Sequence, residues 1–223
     1  KIIIPAFSVG RTQEIVYNLN RMISAGDLPR IPVYVDSPLA TNATEIFRKY
    51  PDYLDDETHT FMETGRHPAL TFDGLEYTRS VEESKAINEK NGPLIIIAAS
   101  GMAEAGRILH HLKNNIEDER NTIVIVSWQA PNTLGRRIAD REPVVRIFGE
   151  EYRLLAEVAT IGGFSSHAGQ NFLLQYAQAT RSSLKGLYLV HGDPDAAGVF
   201  QQVLADNHFE QVLYPRLGES VAI

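Results

Sequence analysis

Residues 94–102 read Leu94-Ile95-Ile96-Ile97-Ala98-Ala99-Ser100-Gly101-Met102. An unbroken apolar run stops at a small, polar turn. A strand with one face in water alternates apolar and polar residues, and this one does not. A short continuous run bounded by turn residues is the pattern of a strand covered on both faces, as in a parallel sheet with helices above and below.

Moving outward from this run, the chain repeats the same rhythm. A helical stretch from about Glu104 to Asn114 leads to a second buried strand, Thr122–Val126. On the other side, Leu75–Thr78 reads as a strand and Ser80–Asn88 as a helix, with Ser80 and Glu83 spaced for a capping box. Earlier still come a strand at Ile2–Ala6, a Ser8-Val9-Gly10 turn and a helix over Arg11–Ala25. In that helix Ile15, Leu19, Met22 and Ile23 fall at helical spacing. Gly26-Asp27-Leu28-Pro29 breaks the helix, and Val33–Val35 and Leu39–Tyr50 form the next strand and helix. Residues 51–74 are acidic and turn-rich, and predict a helical excursion over an edge of the sheet. Pro143–Phe148 and Tyr152–Ala159 flank Gly149-Glu150-Glu151 and predict an antiparallel hairpin. A helix to about Ala179, a strand Gly186–Val190, a helix Asp195–Asp206 and a strand Val212–Tyr214 close the chain. Strand–helix alternation predicts an α/β sandwich with a mostly parallel sheet, and the hairpin is the candidate boundary between two parts.

The 223 residues are 43% hydrophobic and 22% charged, enough for one large domain or two modest ones with a sizeable core. No apolar run approaches the roughly 20 residues that span a membrane, and no signal-peptide pattern opens the chain. With no cysteine, a metal site would use His and carboxylates, and a cytoplasmic location fits. A net charge of −7 argues against a surface that is wholly a nucleic-acid footprint. It leaves open a local basic groove from Arg107, Arg120, Arg136, Arg137, Arg141 and Arg146, charges that solvation explains as well. Lys1 leads directly into the strand-like Ile2-Ile3-Ile4-Pro5, and this predicts that the chain is a fragment of a longer protein.

In open parallel α/β sheets, ligands bind beyond the carboxyl ends of the strands. Phe7-Ser8-Val9-Gly10-Arg11, Asp36-Ser37-Pro38-Leu39, Ala99-Ser100-Gly101-Met102 and Ser127-Trp128-Gln129-Ala130 all end strands. Each puts a small hydroxyl residue near a helix start, where unpaired N–H groups and the dipole favour an anion. Helix capping explains each serine singly. Several on one face make a phosphate-binding rim the competing reading. No Walker loop or G-x-G-x-x-G fingerprint occurs, so a nucleotide cofactor has little support. Arg11 at a helix start opposes the dipole, and a bound phosphate would relieve it.

Of seven histidines, His59, His67 and His208 read as surface residues. His110 and His111 lie about 100° apart on a helix, so one packs inward and one faces solvent. His191 follows Leu187-Tyr188-Leu189-Val190 and precedes Gly192-Asp193-Pro194. His167 sits in the turn Gly162-Gly163-Phe164-Ser165-Ser166-His167-Ala168-Gly169-Gln170. Both fall where such sheets build sites, and imidazole suits both zinc ligation and proton transfer. Hydrogen-bonded structural histidines explain the same spacing.

Five segments together carry a resemblance. Phe7-Ser8-Val9-Gly10-Arg11-Thr12-Gln13-Glu14, the stretch Ala99-Ser100-Gly101-Met102 through Leu112, Phe164-Ser165-Ser166-His167, Leu189-Val190-His191-Gly192 and Pro215-Arg216-Leu217-Gly218-Glu219 occur in order. They resemble the β-CASP group of metallo-β-lactamase-fold RNA-processing nucleases, which includes the mRNA 3′-end endonuclease and the bacterial RNase J enzymes. The resemblance implies a Rossmann-like three-layer β-CASP domain with a mostly parallel sheet over residues 1–160. The C-terminal portion of a metallo-β-lactamase αββα fold would follow over 161–223.

The same resemblance makes His167 the catalytic histidine that contacts the scissile phosphate or protonates the leaving oxygen, and His191 a zinc ligand. Ser100 and Gly101 would cradle an RNA phosphate, Ser8, Gly10, Arg11 and Ser37 would line the same groove, and Ser165 and Ser166 would assist beside His167. It implies two Zn2+ ions in an intact endo- or exoribonuclease, single-stranded RNA as partner and a homodimer as a candidate assembly. It also implies that the H-x-H-x-D-H ligands precede Lys1, so that this fragment alone is inactive. A non-catalytic phosphate- or RNA-binding module or dimerisation domain is the alternative, and a small-molecule hydrolase of the same superfamily fits less well. Two departures stand out. Glycine occupies 169 where the group resembles F-S-A-H-A-D-Q, and Pro131-Asn132 replaces a usual Glu-Gly.

Overall fold

A computed structural model describes residues 1–64, 68–165 and 167–221. The chain forms two compact units, Lys1–Ser165 and Ser166–Ile223. In the first, β1 (Ile2–Pro5) leads to α1 (Arg11–Ala25), β2 (Val33–Asp36) and α2 (Pro38–Lys49). A 3-10 turn at Pro51–Tyr53 and α3 (Asp56–Thr64) precede β3 (Leu75–Tyr77), α4 (Val81–Glu89) and β4 (Ile95–Ala98). Then come α5 (Ile108–Asn115), β5 (Thr122–Ile125), α6 (Leu134–Ala139), β6 (Val144–Ile147), β7 (Glu150–Arg153) and β8 (Glu157–Thr160).

Six strands form one sheet in the order β3-β2-β4-β1-β5-β8, and every pairing is parallel. The continuous apolar run over Leu94–Ala98 becomes β4 at the middle, buried along its length. Its alternate side chains divide between two cores. Ile96 and Ala98 pack with Ile87 of α4, Ile108 and Leu112 of α5, and Leu134 and Ile138 of α6. Ile95 and Ile97 pack with Ile15 and Val16 of α1 and Ala40 of α2, and Phe61 and Met62 of α3 lie against that core. Helices therefore cover both faces. From β1 the chain moves toward β2 and β3, then returns through β4 and passes to β5 and β8. In open α/β sheets such a reversal marks where ligands bind, here the carboxyl edge around β4 and β1.

The capping box at Ser80 forms as the spacing predicts: Ser80 Oγ accepts from Glu83 N at 3.1 Å, and the Glu83 carboxylate accepts from Ser80 N at 2.8 Å. Two expectations change. The hairpin turns at Phe148-Gly149, both at positive φ (53° and 82°), as a two-residue turn of this kind requires. Its second arm ends at Arg153. Ile116 O then accepts from Leu155 N and Ala156 N at 3.0 and 2.9 Å, which draws the chain back so that β8 joins β5 in parallel. The helix expected from Glu104 begins only at Ile108, because Ser100–Gly106 folds as a turn with Ala103 and Gly106 at φ 55° and 85°.

The second unit holds α7 (Gln170–Thr180), β9 (Leu187–Tyr188), α8 (Pro194–Asp206) and β10 (Val212–Leu213), with β9 and β10 parallel. Its buried side chains include Ala177, Ala197 and Leu204. Among the described residues no helix is long and apolar enough to cross a membrane.

Candidate nucleic-acid interface

The carboxyl edge of the first unit gathers the strand-end segments, and burial sorts them into two layers. Ser37 is a helix cap: its Oγ accepts from Ala40 N at 3.2 Å at the start of α2. Ser8 Oγ lies 3.1 Å from Ser37 Oγ, and both residues are buried. Gln13 ties this pair to α2, donating to Ser8 O, Ala40 O and Thr44 Oγ1 at 3.1, 3.3 and 2.9 Å. Arg11 is buried and its charge at the helix start is met by Glu14, at 2.8 Å, while its guanidinium lies 5.6 Å from the Phe164 ring centre. Gly10 is exposed at φ 80°, a conformation that glycine adopts without steric cost.

Ser100 and Gly101 form the turn after β4. Ser100 is half-buried, its N–H donates to Ala105 O at 2.8 Å and its Oγ accepts from Glu104 N at 3.2 Å. Gly101 is held by close approach: a Cβ there would lie 2.9 Å from Phe7 Cδ2 and 3.1 Å from Phe7 N. Gln129, after β5, is buried and donates to Gly101 O at 3.0 Å. Among the described residues the buried side-chain atoms without a partner are Arg11 Nε, Gln13 Oε1, Tyr17 OH and Gln129 Oε1. All but Tyr17 belong to this edge, and unsatisfied buried polar atoms gather where a ligand or water completes the set.

Beneath the edge lies a polar cluster that the sequence reading missed. Asp36, at the end of β2, is 0% exposed. Its Oδ1 accepts from Thr78 Oγ1 at 2.5 Å and Arg107 Nη1 at 2.6 Å; its Oδ2 accepts from Ser84 Oγ at 2.5 Å and lies 2.7 Å from His111 Nε2. His111 Nδ1 lies 2.9 Å from Asn88 Oδ1, and Arg107 also donates to Arg79 O at 2.7 Å. Burial by itself would raise the Asp36 pKa, but the bonds from His111, Ser84, Thr78 and Arg107 outweigh it and hold the carboxyl well below the usual range. A carboxylate closing an otherwise apolar strand, Val33-Tyr34-Val35-Asp36, was the available signal. His111 is buried and His110 exposed, as adjacent helix positions require. Of the other arginines weighed for a basic groove, Arg120 bonds to Asp118, Arg136 to Asp140, Arg146 to Glu151 and Arg141 to Val158 O, and Arg137 is exposed on α6.

In the second unit His167 and His191 come together, their rings stacked at 5.8 Å between centroids and 28° between planes. Both are exposed. His191 has φ 61°, a left-handed conformation uncommon outside glycine, asparagine, aspartate and histidine. The loop around it is fixed on both sides: Tyr214 OH donates to Gly192 O at 2.9 Å, and Asp193 caps α8 by accepting from Asp195 N at 3.0 Å. Ser165, in the first unit, is exposed; Ser166 and His67 lie outside the described residues. His208 is exposed, and His59 is half-buried on α3. Among the described residues no group of three or more His, Asp or Glu side chains could hold a metal ion. A zinc site takes three or four protein ligands, so the stacked pair does not by itself fit one.

Both departures from the expected pattern have a local account. Gly169 is the N-cap of α7, in extended geometry (φ −72°, ψ 164°) with no side-chain cap, the place where an aspartate would serve. Asn132 has φ 68°, which glycine or asparagine tolerates.

The first unit is built on an all-parallel six-stranded sheet with a polar carboxyl edge, and the smaller unit presents paired histidines from its loops, an arrangement consistent with a β-CASP-type fold. Residues 12–138 match the Beta-Casp domain family, and residues 151–215 match the Zn-dependent metallo-hydrolase RNA specificity domain family. The chain belongs to the Beta-Casp family. It is 40% identical over 223 residues to ribonuclease TTHA0252 of Thermus thermophilus, covering 100% of this chain and 50% of that protein. It is 32% identical over 200 residues to transcription termination factor FttA of Methanosarcina mazei, covering 87% of this chain and 31% of that protein. Against FttA of Pyrococcus horikoshii it is 34% identical over 200 residues, covering 87% and 30% respectively. The chain thus spans between about a third and a half of the length of these relatives.

Proposed function

We propose that this chain is the RNA-gripping and part-catalytic region of a zinc-dependent RNA phosphodiester hydrolase. The observation that carries the reading is the stacked pair His167 and His191, brought to 5.8 Å from two different loops. His167 gives a proton to the leaving oxygen of the cleaved phosphodiester. His191 contributes one imidazole to a two-ion zinc set whose other ligands lie outside the described residues. At the edge of the first unit, Gly10, Ser100 and Gly101 meet the RNA backbone, with Ser8, Arg11 and Ser37 supporting them from below; Ser165 and Ser166 assist beside His167. Residues 1–160 act as the capping domain and 161–223 as part of the catalytic one. The similarity to a protein named a ribonuclease over the whole of this chain supports the choice of RNA. Phe172, Leu173, Tyr176, Val190 and Val199 are exposed in the second unit, apolar surface that the remainder of a catalytic domain would cover.

The test is His167→Ala in the full-length protein. Hydrolysis of single-stranded RNA falls at least about a hundredfold, as for a lost proton donor, while zinc content is kept. An unchanged rate would sink the assignment. Residues 1–223 alone are expected to hydrolyse no RNA, and stoichiometric zinc together with nuclease activity in that piece would contradict the shared-site reading.

A further inference from the structure

The hydroxyl of Ser100 is held by main-chain groups of its own turn. Ser100 Oγ accepts from the N–H groups of Glu104 and Ala105, at 3.2 and 3.4 Å. Ser100 N donates to Ala105 O at 2.8 Å and Ser100 O accepts from Ala103 N at 3.1 Å, so the turn closes on its first residue. A serine hydroxyl has two acceptor positions and one donor proton. With both acceptor positions turned to N–H groups, Ser100 has its O–H proton left to offer. Among the described residues no group accepts that proton. A donor of this kind matches an anionic oxygen, such as that of a phosphodiester, and does not match a ligand N–H.

Glu104 acts at both ends of this arrangement and has no role in the reading above. Its N–H meets Ser100, and its carboxylate crosses to the start of α6, where Oε1 accepts from Leu134 N at 2.5 Å. That helix already carries a cap of its own, since Thr133 accepts from Arg136 N at 3.2 Å. Glu104 adds a tie between two segments distant in sequence. Two more bonds run the same way, Gly135 N to Met102 O and Gln129 Nε2 to Gly101 O, both at 3.0 Å. The segments are in close contact: a Cβ on Gly135 would lie 2.9 Å from Met102 O. Ala103 and Leu134 are buried in one core, while Glu104 itself is exposed. A carboxylate beside a path for RNA would repel phosphate. Meeting an N–H at a helix start offsets part of that charge.

We propose that Glu104 is a positioning residue for RNA binding. Its N–H keeps the Ser100 hydroxyl a donor for a backbone phosphate oxygen, and its carboxylate pins that arrangement to α6. Glu104 touches no RNA itself. The inference rests on the RNA reading above, and its test separates the two.

Binding of a cleavage-resistant phosphorothioate single-stranded RNA to the full-length protein is measured by fluorescence anisotropy. Ser100→Ala raises Kd about tenfold, the loss of one hydrogen bond to a charged group. Glu104→Ala raises it about fivefold, within the range of couplings inside one hydrogen-bond network. Glu104→Met, which keeps the length and loses the acceptor oxygens, does the same, and carries the test if Glu104→Ala fails to fold. Glu104→Gln keeps an oxygen that accepts from Leu134 N and stays within about twofold of wild type. On a Ser100→Ala background, Glu104→Ala adds less than about twofold, because the hydroxyl it positions is gone. Glu104→Ala binding as wild type does, or more tightly as removal of a merely repelling charge would give, overturns the inference and leaves the RNA reading standing. So does a loss of equal size with and without the Ser100 hydroxyl, or a Glu104→Gln protein as weak as Glu104→Ala. Wild type that does not bind the RNA overturns the RNA reading and the inference with it.

Discussion

Asp36→Ala is the sharpest perturbation the structure offers, because the residue is fully buried, charged and at the crossing of several elements. Its carboxylate accepts from Thr78 and Ser84 at 2.5 Å and from Arg107 at 2.6 Å, and it meets His111 at 2.7 Å. Breaking a buried ion pair by removing one partner costs about 3–5 kcal/mol, since the other charge is left without compensation. Arg107 keeps some access to water, its side chain being 19% exposed, so the lower end applies, about 3 kcal/mol. For a chain of this size that is a fall of about 6–12 °C in the midpoint of the first unit's transition. Asp36→Asn keeps the shape and one acceptor oxygen and should cost less. The assay is thermal or urea unfolding, followed by a probe belonging to the first unit.

The pH dependence has a definite sign. The folded-state pKa of Asp36 is depressed, so its contribution is present in full above the unfolded value, about 4, and is lost as pH falls toward the folded one. The gap between wild type and Asp36→Ala therefore narrows on acidification below about pH 4. Asp36, the residue before Ser37, is also bonded to Arg107, which follows the Ser100–Gly106 turn, so Asp36→Ala should weaken RNA binding in the full-length protein although it touches no ligand. A loss of less than about 1 kcal/mol, or a gap that does not shrink in acid, would refute this account.

Other sites give smaller tests. Gly135→Ala puts a Cβ 1.8 Å from Gln129 Oε1, so Gln129 must leave its place on Gly101 O; destabilisation of about 1–3 kcal/mol and weaker RNA binding should follow, read by urea midpoint and anisotropy. Gly169→Asp meets open space at the uncapped start of α7 and should raise the second unit's stability by about 0.5 kcal/mol, checked by thermal unfolding. Asn132→Gly relieves a left-handed φ of 68° and should change the midpoint by less than about 1 kcal/mol, whereas a β-branched Asn132→Val should lower it by more.

Much of the first unit was legible because its signals are local. Fully apolar strands, helical spacing in α1 and the Ser80 capping box depend on near neighbours, and they came out within a residue or two. The break in the hairpin did not, because what ends β7 and starts β8 is a bond to Ile116 O, made across the fold rather than along the sequence. α6 is six residues long, too short for a periodicity to register. At the site, the pairing of His167 with His191 could be foreseen only from the family pattern, since twenty-three intervening residues say nothing about a 5.8 Å approach. Asp36 itself carried a signal as the carboxylate that ends an apolar strand, but its partners did not: Thr78, Ser84, Arg107 and His111 are scattered over the sequence and have no spacing of their own.

The strand-end serines call for a different distinction. Counted as residue types, they fit helix caps singly and, taken together, a phosphate-binding rim. Past the last pairings the exposure of neighbours differs: Phe7 is exposed, Ser8 buried and Val9 exposed, and Trp128 is exposed while Gln129 is buried. The buried members, with Ser37, bond to one another and to helix starts, and so fix where the exposed members stand. An edge built in this way separates support from contact within adjacent residues. Replacing Ser8 or Ser37 should then act through geometry and stability, and replacing Ser100 through affinity. That division follows from which residues the strand ends bury, and residue chemistry alone leaves capping and phosphate binding both open.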